Sequence, residues 1–489
     1  MVIIYGLTLT GILGIAGLLI YLLIIGYTLL VLLQENRDPE ITMAWILVIV
    51  ALPILGLSIY LNFGRNFRKV KIFSRKGLTD LQRMEQISLN QIRDLSGITD
   101  ESGPIPTQKL HIIKLLLNNS KALLTSNNTV EILNNGKAKF DALIEDMLQA
   151  QHHIHLEYYV YEEDEIGKKI RDILVEKAQQ GLEIRLIIDA IGSWGLSKSF
   201  LKTLKKAGVK VGVFMPVRFP LVANKINYRN HRKIVVIDGK KAYVGGLNIA
   251  DRYIHGTDKL GIWRDTHLKI TGDAVQSLQT IFITDWYFIT KDYLQGSGYF
   301  PKSPVRKTLW VQITVSGPDS DWSSIMQAYF TAITTAEHYI YISTPYFMPN
   351  ESILTALKTA ALSGVDVKLI LPSKSDITTH LYGSMSYVEE LLQAGVHVYL
   401  YQKGFNHGKV MMVDGLFTTV GTANMDSRSF DKNFEVNALI YDRETVKKME
   451  ESFLEDIKDS KEVVLSEFMK RPRSTKIKES LARVLGPIY

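Results

Sequence analysis

Cysteine is absent from the 489-residue chain, which excludes disulfides and thiolate-bound metal and leaves the compartment open. Charged side chains are absent from residues 2–33. A bilayer core needs about 20 apolar residues in a helix, so this run exceeds one span and reads as a first transmembrane helix, 1–33. A secretory leader fits poorly: the run has no basic flank before it, is too long, and is followed by a second apolar run at 42–63. Pro53 in that second run is tolerable in a membrane helix. Trp45 and Tyr60 near its ends suit interfacial anchors.

A strong charge of one sign is also missing: 57 basic against 50 acidic side chains leave +7. On a chain with two expected anchors, that balance argues against a nucleic-acid partner. Positive charge gathers after the second run, at Arg65, Arg68, Lys69, Lys71, Arg75 and Lys76, whereas the link at 34–41 sets Arg37 against Glu35, Asp38 and Glu40. Positive flanks stay in the cytoplasm, so both termini and the bulk of the chain are expected there. The basic cluster suits anionic membrane lipids.

Residues 64–115 read as a charge-rich connector containing Gly103, Pro104 and Pro106. Beyond it the pattern alternates strands and helices, and it does so twice. AQHHIHLEYY from Ala150 answers AEHYIYISTPYF from Ala336; GLEIRLIID from Gly181 answers GVDVKLILP from Gly364; VKVGVF answers VHVYLY. Each half is an α/β unit, and the join at 287–320 is marked by Gly296, Gly298, Pro301 and Pro304. A helix near 475–485 carries a stripe of Leu481, Val484 and Leu485 and reads as a plain docking helix rather than a membrane contact.

Each half ends in H-x-K-x4-D: His231, Lys233 and Asp238, then His407, Lys409 and Asp414, with the histidines 176 residues apart. Gly245 and Gly421 follow in step, then Asn248 and Asn424. Alternation along a strand puts each histidine and its lysine on one face. Two imidazoles, two ammonium groups and two amides suit two-step transfer of a phosphodiester, because cations and amide donors stabilise the charge that spreads over the phosphate oxygens as it is attacked. Glycine-rich turns before the asparagines let backbone N–H groups approach phosphate. An ammonium on the histidine face repels a divalent ion, so no metal is expected. Asp238 and Asp414 fall at odd offset from the lysines and precede glycine, a hairpin signature, and read as supports more than proton carriers. Asp265 and Glu435 follow the motifs and suit the carboxylate that pins a histidine tautomer. The pairing expected from order along the chain is His231 with Asp265 and His407 with Glu435.

The motifs resemble the phospholipase D superfamily, and their duplication resembles its two-motif, pseudo-dimeric members, across residues 125–445. Trp45, Pro53, Gly56 and Tyr60, closing in Asn62-Phe63-Gly64-Arg65, together with Arg471-Pro472, are similar to the bacterial cardiolipin synthases and extend the resemblance over nearly the whole chain. The implied fold is two similar phospholipase D-like α/β halves, 116–290 and 305–489, packed as a pseudo-dimer with mixed sheets behind two transmembrane helices. The resemblance implies a catalytic set of His231, Lys233, Asp238, His407, Lys409 and Asp414. One histidine becomes a covalent phospho-enzyme and the other is the general acid and base; analogy with the first motif assigns these to His231 and His407. The implied reaction joins two phosphatidylglycerols into cardiolipin and glycerol at the bacterial inner membrane, with no cofactor. Hydrolysis, or transfer to another alcohol, is the alternative.

Overall fold

The structure, a computed structural model, describes residues 3–4, 7–34, 39–52, 55–60, 64, 79–95, 109–216 and 227–486. The chain divides into two compact units, residues 1–73 with 217–227 and the remainder.

In the first unit one helix, Leu9–Gln34, contains a stretch from Gly11 that is long and apolar enough to cross a membrane. The second apolar run is not a continuous span. It forms two shorter helices, Pro39–Ala51 and Leu55–Ile59. Trp45 and Tyr60 were expected at opposite ends, yet their rings pack edge to face with centroids 5.4 Å apart. A straight helix would separate them by about 22 Å at 1.5 Å per residue, so the chain turns back. Gly56 permits the close approach: a Cβ there would lie 2.2 Å from the Val48 carbonyl oxygen. Pro53, the charged link at 35–38, the basic cluster after the run, and Gly103, Pro104 and Pro106 lie outside the described residues. Part of the polar connector is helical. Helix Thr79–Leu95 belongs to the second unit, where Ser88 donates to the Leu117 carbonyl at 2.7 Å and Gln91 donates to that of Leu124 at 2.7 Å.

The second unit is built on one mixed sheet of fifteen strands. From one edge they run Lys210–Phe214, Glu183–Asp189, His153–Tyr158, Ile234–Ile237, Lys241–Gly245, Thr266–Gly272 and Leu124–Asn134. The second half continues with Thr308–Ser316, Glu435–Tyr441, Phe417–Gly421, Val410–Val413, Tyr339–Ser343, Asp366–Pro372, His397–Tyr401 and the short Ser460–Glu462. The halves repeat the same order outward from an antiparallel seam between Leu124–Asn134 and Thr308–Ser316, where Thr125 faces Val311. This is a pseudo-twofold arrangement in which the two halves share one sheet.

Parallel neighbours need crossovers, and helices supply them. Glu165–Gln179 starts where the Asp164 carboxylate accepts the Gly167 N–H, Lys198–Lys206 where Ser197 accepts that of Phe200, and Glu351–Leu362 where Asn350 accepts that of Ile353. Such caps are worth about 1 kcal/mol each. Every residue of His153–Tyr158 is buried, as befits a strand covered on both faces. Two apolar cores, one per half, fill one side of the sheet. A third lies beneath Ala274–Thr290 and Arg443–Lys458 and spans both halves.

Outside the main sheet the halves exchange short pairings. Gly404–Asn406 of the second half pairs in parallel with Ile262–Arg264 of the first. Asn230 of the first bridges Phe434 of the second. These crossed pairings bring the two motifs to one place.

Candidate active site

The crossed pairings fix the histidine backbones. His407 donates its N–H to the Arg264 carbonyl at 2.7 Å, and His231 donates to that of Phe434 at 3.0 Å. Each histidine therefore stands beside the acid of the other half. His407 Nδ1 lies 2.7 Å from Asp265 Oδ2, and His231 Nδ1 lies 3.0 Å from both Glu435 oxygens. The acids expected to hold the histidines do so, but the pairing read along the chain is reversed. Asp265 follows the segment that pairs with His407, and Glu435 follows the one that bridges to Asn230. With Nδ1 donating to a carboxylate, each ring keeps Nε2 for chemistry.

Both rings line one cavity of about 510 Å³. Asn248 and Asn424 line it too, as do Arg229, Arg252, Arg428, Tyr159, Tyr346 and His380. The Asn248 amide is tied on both sides: its oxygen accepts the Val160 N–H at 3.0 Å and its nitrogen donates to the Tyr253 hydroxyl at 2.6 Å. Asn424 is held through its backbone, which donates to Ser429 Oγ at 3.1 Å, while no donor among the described residues reaches its amide oxygen. The lysines sit behind the rings instead of lining the cavity. Lys233 donates to the His231 carbonyl at 2.7 Å and Lys409 to that of His407 at 2.6 Å. Lys409 also comes within 3.1 and 3.3 Å of the two ring nitrogens of His407.

Burial dominates the electrostatics. It pushes Lys233 down to about 7 and Lys409 down to about 8, because an ammonium without water favours its neutral form. It lowers His231, against the pull of Glu435, and lowers His407 far below the usual imidazole range. The two acids then diverge. Burial pushes Asp265 up to about 6, against Lys409 and the Thr266 N–H. Burial would also raise Glu435, but His231, Lys233 and the Thr422 hydroxyl more than offset it and hold that carboxyl below its ordinary value. Thr422 donates to Glu435 at 2.5 Å and Asn433 donates at 3.2 Å. The first half has Gly246 where the second has Thr422, and a Cβ on Gly246 would come within 2.3 Å of the Asp265 carboxylate.

The motif aspartates, which the resemblance places in the catalytic set, are elsewhere. Asp238 opens the hairpin after Ile234–Ile237, with φ of 55° and Gly239 at 64°, the left-handed pair a tight hairpin needs. Its carboxylate accepts N–H groups from Gln151, His152 and His153 at 2.8–3.0 Å. Asp414 does the same for Glu337, His338 and Tyr339, and also pairs with buried Lys109 at 3.2 Å. At about 3.3 Å per strand residue, the strand after each motif carries its aspartate away from the cavity. They hold strand ends together and take no part at the cavity wall.

The arginines of the wall were missed in the sequence, although a signal was present. Arg252 and Arg428 each stand four residues past the motif asparagines, and the same offset separates them as separates the histidines. Arg229 falls two residues before His231, on its face. Tyr159, whose ring centroid is 5.1 Å from that of His231, had no such marker.

Comparison with known proteins gives the family. A family model described as "Cardiolipin synthase, PLD-like domain" matches residues 143–286 and 329–457, and one described as "Phospholipase_D-nuclease N-terminal" matches 18–65. The chain is 44% identical to a cardiolipin synthase of Geobacillus sp. (strain WCH70), over 93% of this chain and 90% of that protein. It is 40% identical to the major cardiolipin synthase ClsA of Bacillus subtilis (strain 168), over 96% and 98% respectively. Among solved structures, the phosphatidylserine synthase of Haemophilus influenzae Rd KW20 matches with a TM-score of 0.61 at 14% identity, covering 78% of this chain and all of that one, a likeness of fold.

Proposed function

The chain belongs to the cardiolipin synthase family of phospholipase D-like proteins and is a phosphatidyltransferase that makes cardiolipin; we propose that it takes phosphatidylglycerol as both donor and acceptor, through a phosphatidyl adduct on His231. The observation that carries the reading is the pair of Nε2-presenting imidazoles on one cavity, each backed by a carboxylate and an ammonium.

In the first step His231 Nε2 attacks the donor phosphorus. The bond to the headgroup glycerol breaks, and that oxygen leaves with a proton from His407. The adduct carries positive charge on the imidazole, which the Glu435 carboxylate balances. In the second step the free glycerol hydroxyl of another phosphatidylglycerol attacks the same phosphorus, His407 takes its proton, and the His231–phosphorus bond breaks. Cardiolipin and glycerol are released. One phosphodiester replaces another, so the exchange needs no energy-rich cofactor. Charge growing on the phosphate oxygens is met from behind the rings by the field of Lys233 and Lys409. Asn248 and Asn424 supply amide dipoles at the wall.

Glu435 favours His231 as the nucleophile. A carboxylate held firmly ionised suits a ring that must end step one as a cation. His407 then takes the acid's part; the proton it must carry on Nε2, which burial disfavours, is balanced by the Asp265 carboxylate at Nδ1. The first helix anchors the catalytic unit beside its lipid substrates. The catalytic unit on the cytoplasmic side is part of this reading and follows from the basic residues after position 64.

Incubating the purified full-length protein with phosphatidylglycerol alone tests the proposal. Diphosphatidyl product with one glycerol per turnover is expected; phosphatidic acid as the main product identifies a hydrolase instead. Acid quenching during turnover and mass spectrometry of the peptides should find the adduct on His231.

A further inference from the structure

The C-terminal helix Arg473–Leu485 is docked with the wrong face inward for a core helix. Its buried residues are Glu479 and Ala482, 4% and 5% exposed. Ile477, Leu481, Val484 and Leu485 recur at helical spacing on the opposite side, and they are 60%, 58%, 73% and 41% exposed. The hydrophobic effect alone would invert this orientation, since each of these side chains gains about 1.5–3 kcal/mol on full burial. Ion pairs hold it as it is. Arg471 clamps Glu479 at 2.9 Å and Glu389 at 3.1 Å. Arg483 pairs with Glu390 at 2.8 Å and stacks over Tyr387 at 4.0 Å. An apolar stripe turned outward by a polar clamp is set aside for another apolar phase.

The stripe's surroundings say which. Lys476, which also reaches Glu389 at 3.6 Å, and Lys478 flank it on either side, about 100° around the helix from Ile477, and exposed Arg473 stands at its N-terminal end. An apolar face edged with cations matches an anionic bilayer surface. The docked side of the helix packs on Thr378–Met385, where His380, like the preceding Asp376 and Ile377, lines the cavity. Stripe and cavity wall are thus parts of one packed block.

We infer that Arg473–Leu485 lies in the interface of an anionic membrane, with Ile477, Leu481, Val484 and Leu485 among the acyl chains, and holds the cavity wall at the lipid surface. The helix is a second attachment, distinct from the N-terminal membrane helix. The helix docks as the sequence leads one to expect, but on the face opposite the apolar stripe.

The absence of cysteine makes the test direct. Val484→Cys in the full-length protein, labelled with an environment-sensitive dye and reconstituted in vesicles containing phosphatidylglycerol, should show blue-shifted emission and strong quenching by nitroxide-bearing lipids. Reversing Arg473 and Lys478 to Glu, which leaves the Glu389 clamp intact, should remove most of the quenching. A dye that stays open to aqueous iodide and untouched by the nitroxide lipids overturns the inference, as does cross-linking of the cysteine to a second copy of the chain. These readouts need no turnover, so they stand apart from the proposed reaction. In an activity arm, Ile477→Ser with Leu481→Ser and Val484→Ser should lower turnover of vesicle lipid about tenfold, equivalent to about 1.4 kcal/mol. Short-chain lipid dissolved as monomers should be turned over within about twofold of the parent rate. Equal loss on both substrates would mark a structural role and overturn it.

Discussion

The two histidine centres are built alike and tuned apart. Each ring meets a carboxylate from the opposite half and a lysine from its own. Around His231, Glu435 takes added hydrogen bonds from Thr422 and Asn433 and is held as an anion. Around His407, Asp265 lies against Gly246, with no side chain where Thr422 stands in the other half, and burial brings its carboxyl up to about 6. The His231 side chain is 12% exposed and that of His407 is 7% exposed, with His407 enclosed by Trp263 and Phe405. A duplicated motif has therefore given two different imidazoles, as a reaction with one nucleophile and one proton carrier requires.

The sharpest test of that difference is removal of each ring. His231→Ala and His407→Ala should each lower turnover by at least about a thousandfold, since nucleophile and acid–base partner act as a unit. They should differ when the leaving group is an activated phenol, which needs no proton. His407→Ala should then accumulate a phosphatidyl-enzyme, and His231→Ala should not. The adduct appearing in the second variant alone would exchange the roles.

Next in size are the crossed acids. Glu435→Gln and Asp265→Asn should each reduce kcat by roughly 10²–10⁴-fold, the range for losing a histidine's tautomer partner. Proton NMR distinguishes the pairing. Glu435→Gln should shift the Nδ1 proton of His231 alone, and Asp265→Asn that of His407 alone. The opposite pattern would restore pairing within each half.

The pH profile of kcat/KM should be a narrow bell. Lys233, lowered by burial to about 7, carries its charge below that pH and loses it above; Lys409 follows at about 8. Asp265, raised by burial to about 6, is an anion above that pH and is neutralised below. Activity should therefore fall below about 6 and above 7–8, and Lys233→Arg should push the alkaline limb upward. An alkaline limb unmoved by that substitution would take Lys233 out of the profile. A smaller effect is expected of Thr422→Val, which removes one hydroxyl donor from Glu435 and should cost about 0.5–1.5 kcal/mol of transition-state stabilisation, measured as kcat/KM.

The repeat was legible because the strand order recurs and the motif offset is kept: histidines, lysines, asparagines and even Arg252 and Arg428 fall in step. The acids were legible as residues but not as partners. Which acid meets which ring depends on Gly404–Asn406 crossing to pair with Ile262–Arg264, a tertiary choice that leaves no period in either half. The second apolar run misled for a related reason. Hydropathy records composition, and Trp45 meeting Tyr60 depends on a turn that composition does not report. The C-terminal stripe was visible by spacing; its outward direction was set by the distant Glu389 and Glu390.

The motif aspartates extend the comparison to stability, with the smallest expected effect on turnover. Asp238→Ala strips three strand-end N–H groups of their acceptor and puts alanine at a φ of 55°, a backbone region it adopts poorly. Leaving such buried donors unmet costs about 1–3 kcal/mol. Asp414→Ala loses the equivalent bonds and also leaves the Lys109 ammonium, 0% exposed, without its carboxylate. An uncompensated buried charge costs about 3–5 kcal/mol, so the second half should be the more sensitive to its aspartate. Denaturant midpoints should rank parent, Asp238→Ala, then Asp414→Ala, while kcat per folded molecule stays within a few-fold. A large fall in kcat with an unchanged midpoint would return these aspartates to the chemistry. Asp238→Asn, which tolerates positive φ and keeps one acceptor oxygen, should recover part of the midpoint, separating backbone strain from lost charge.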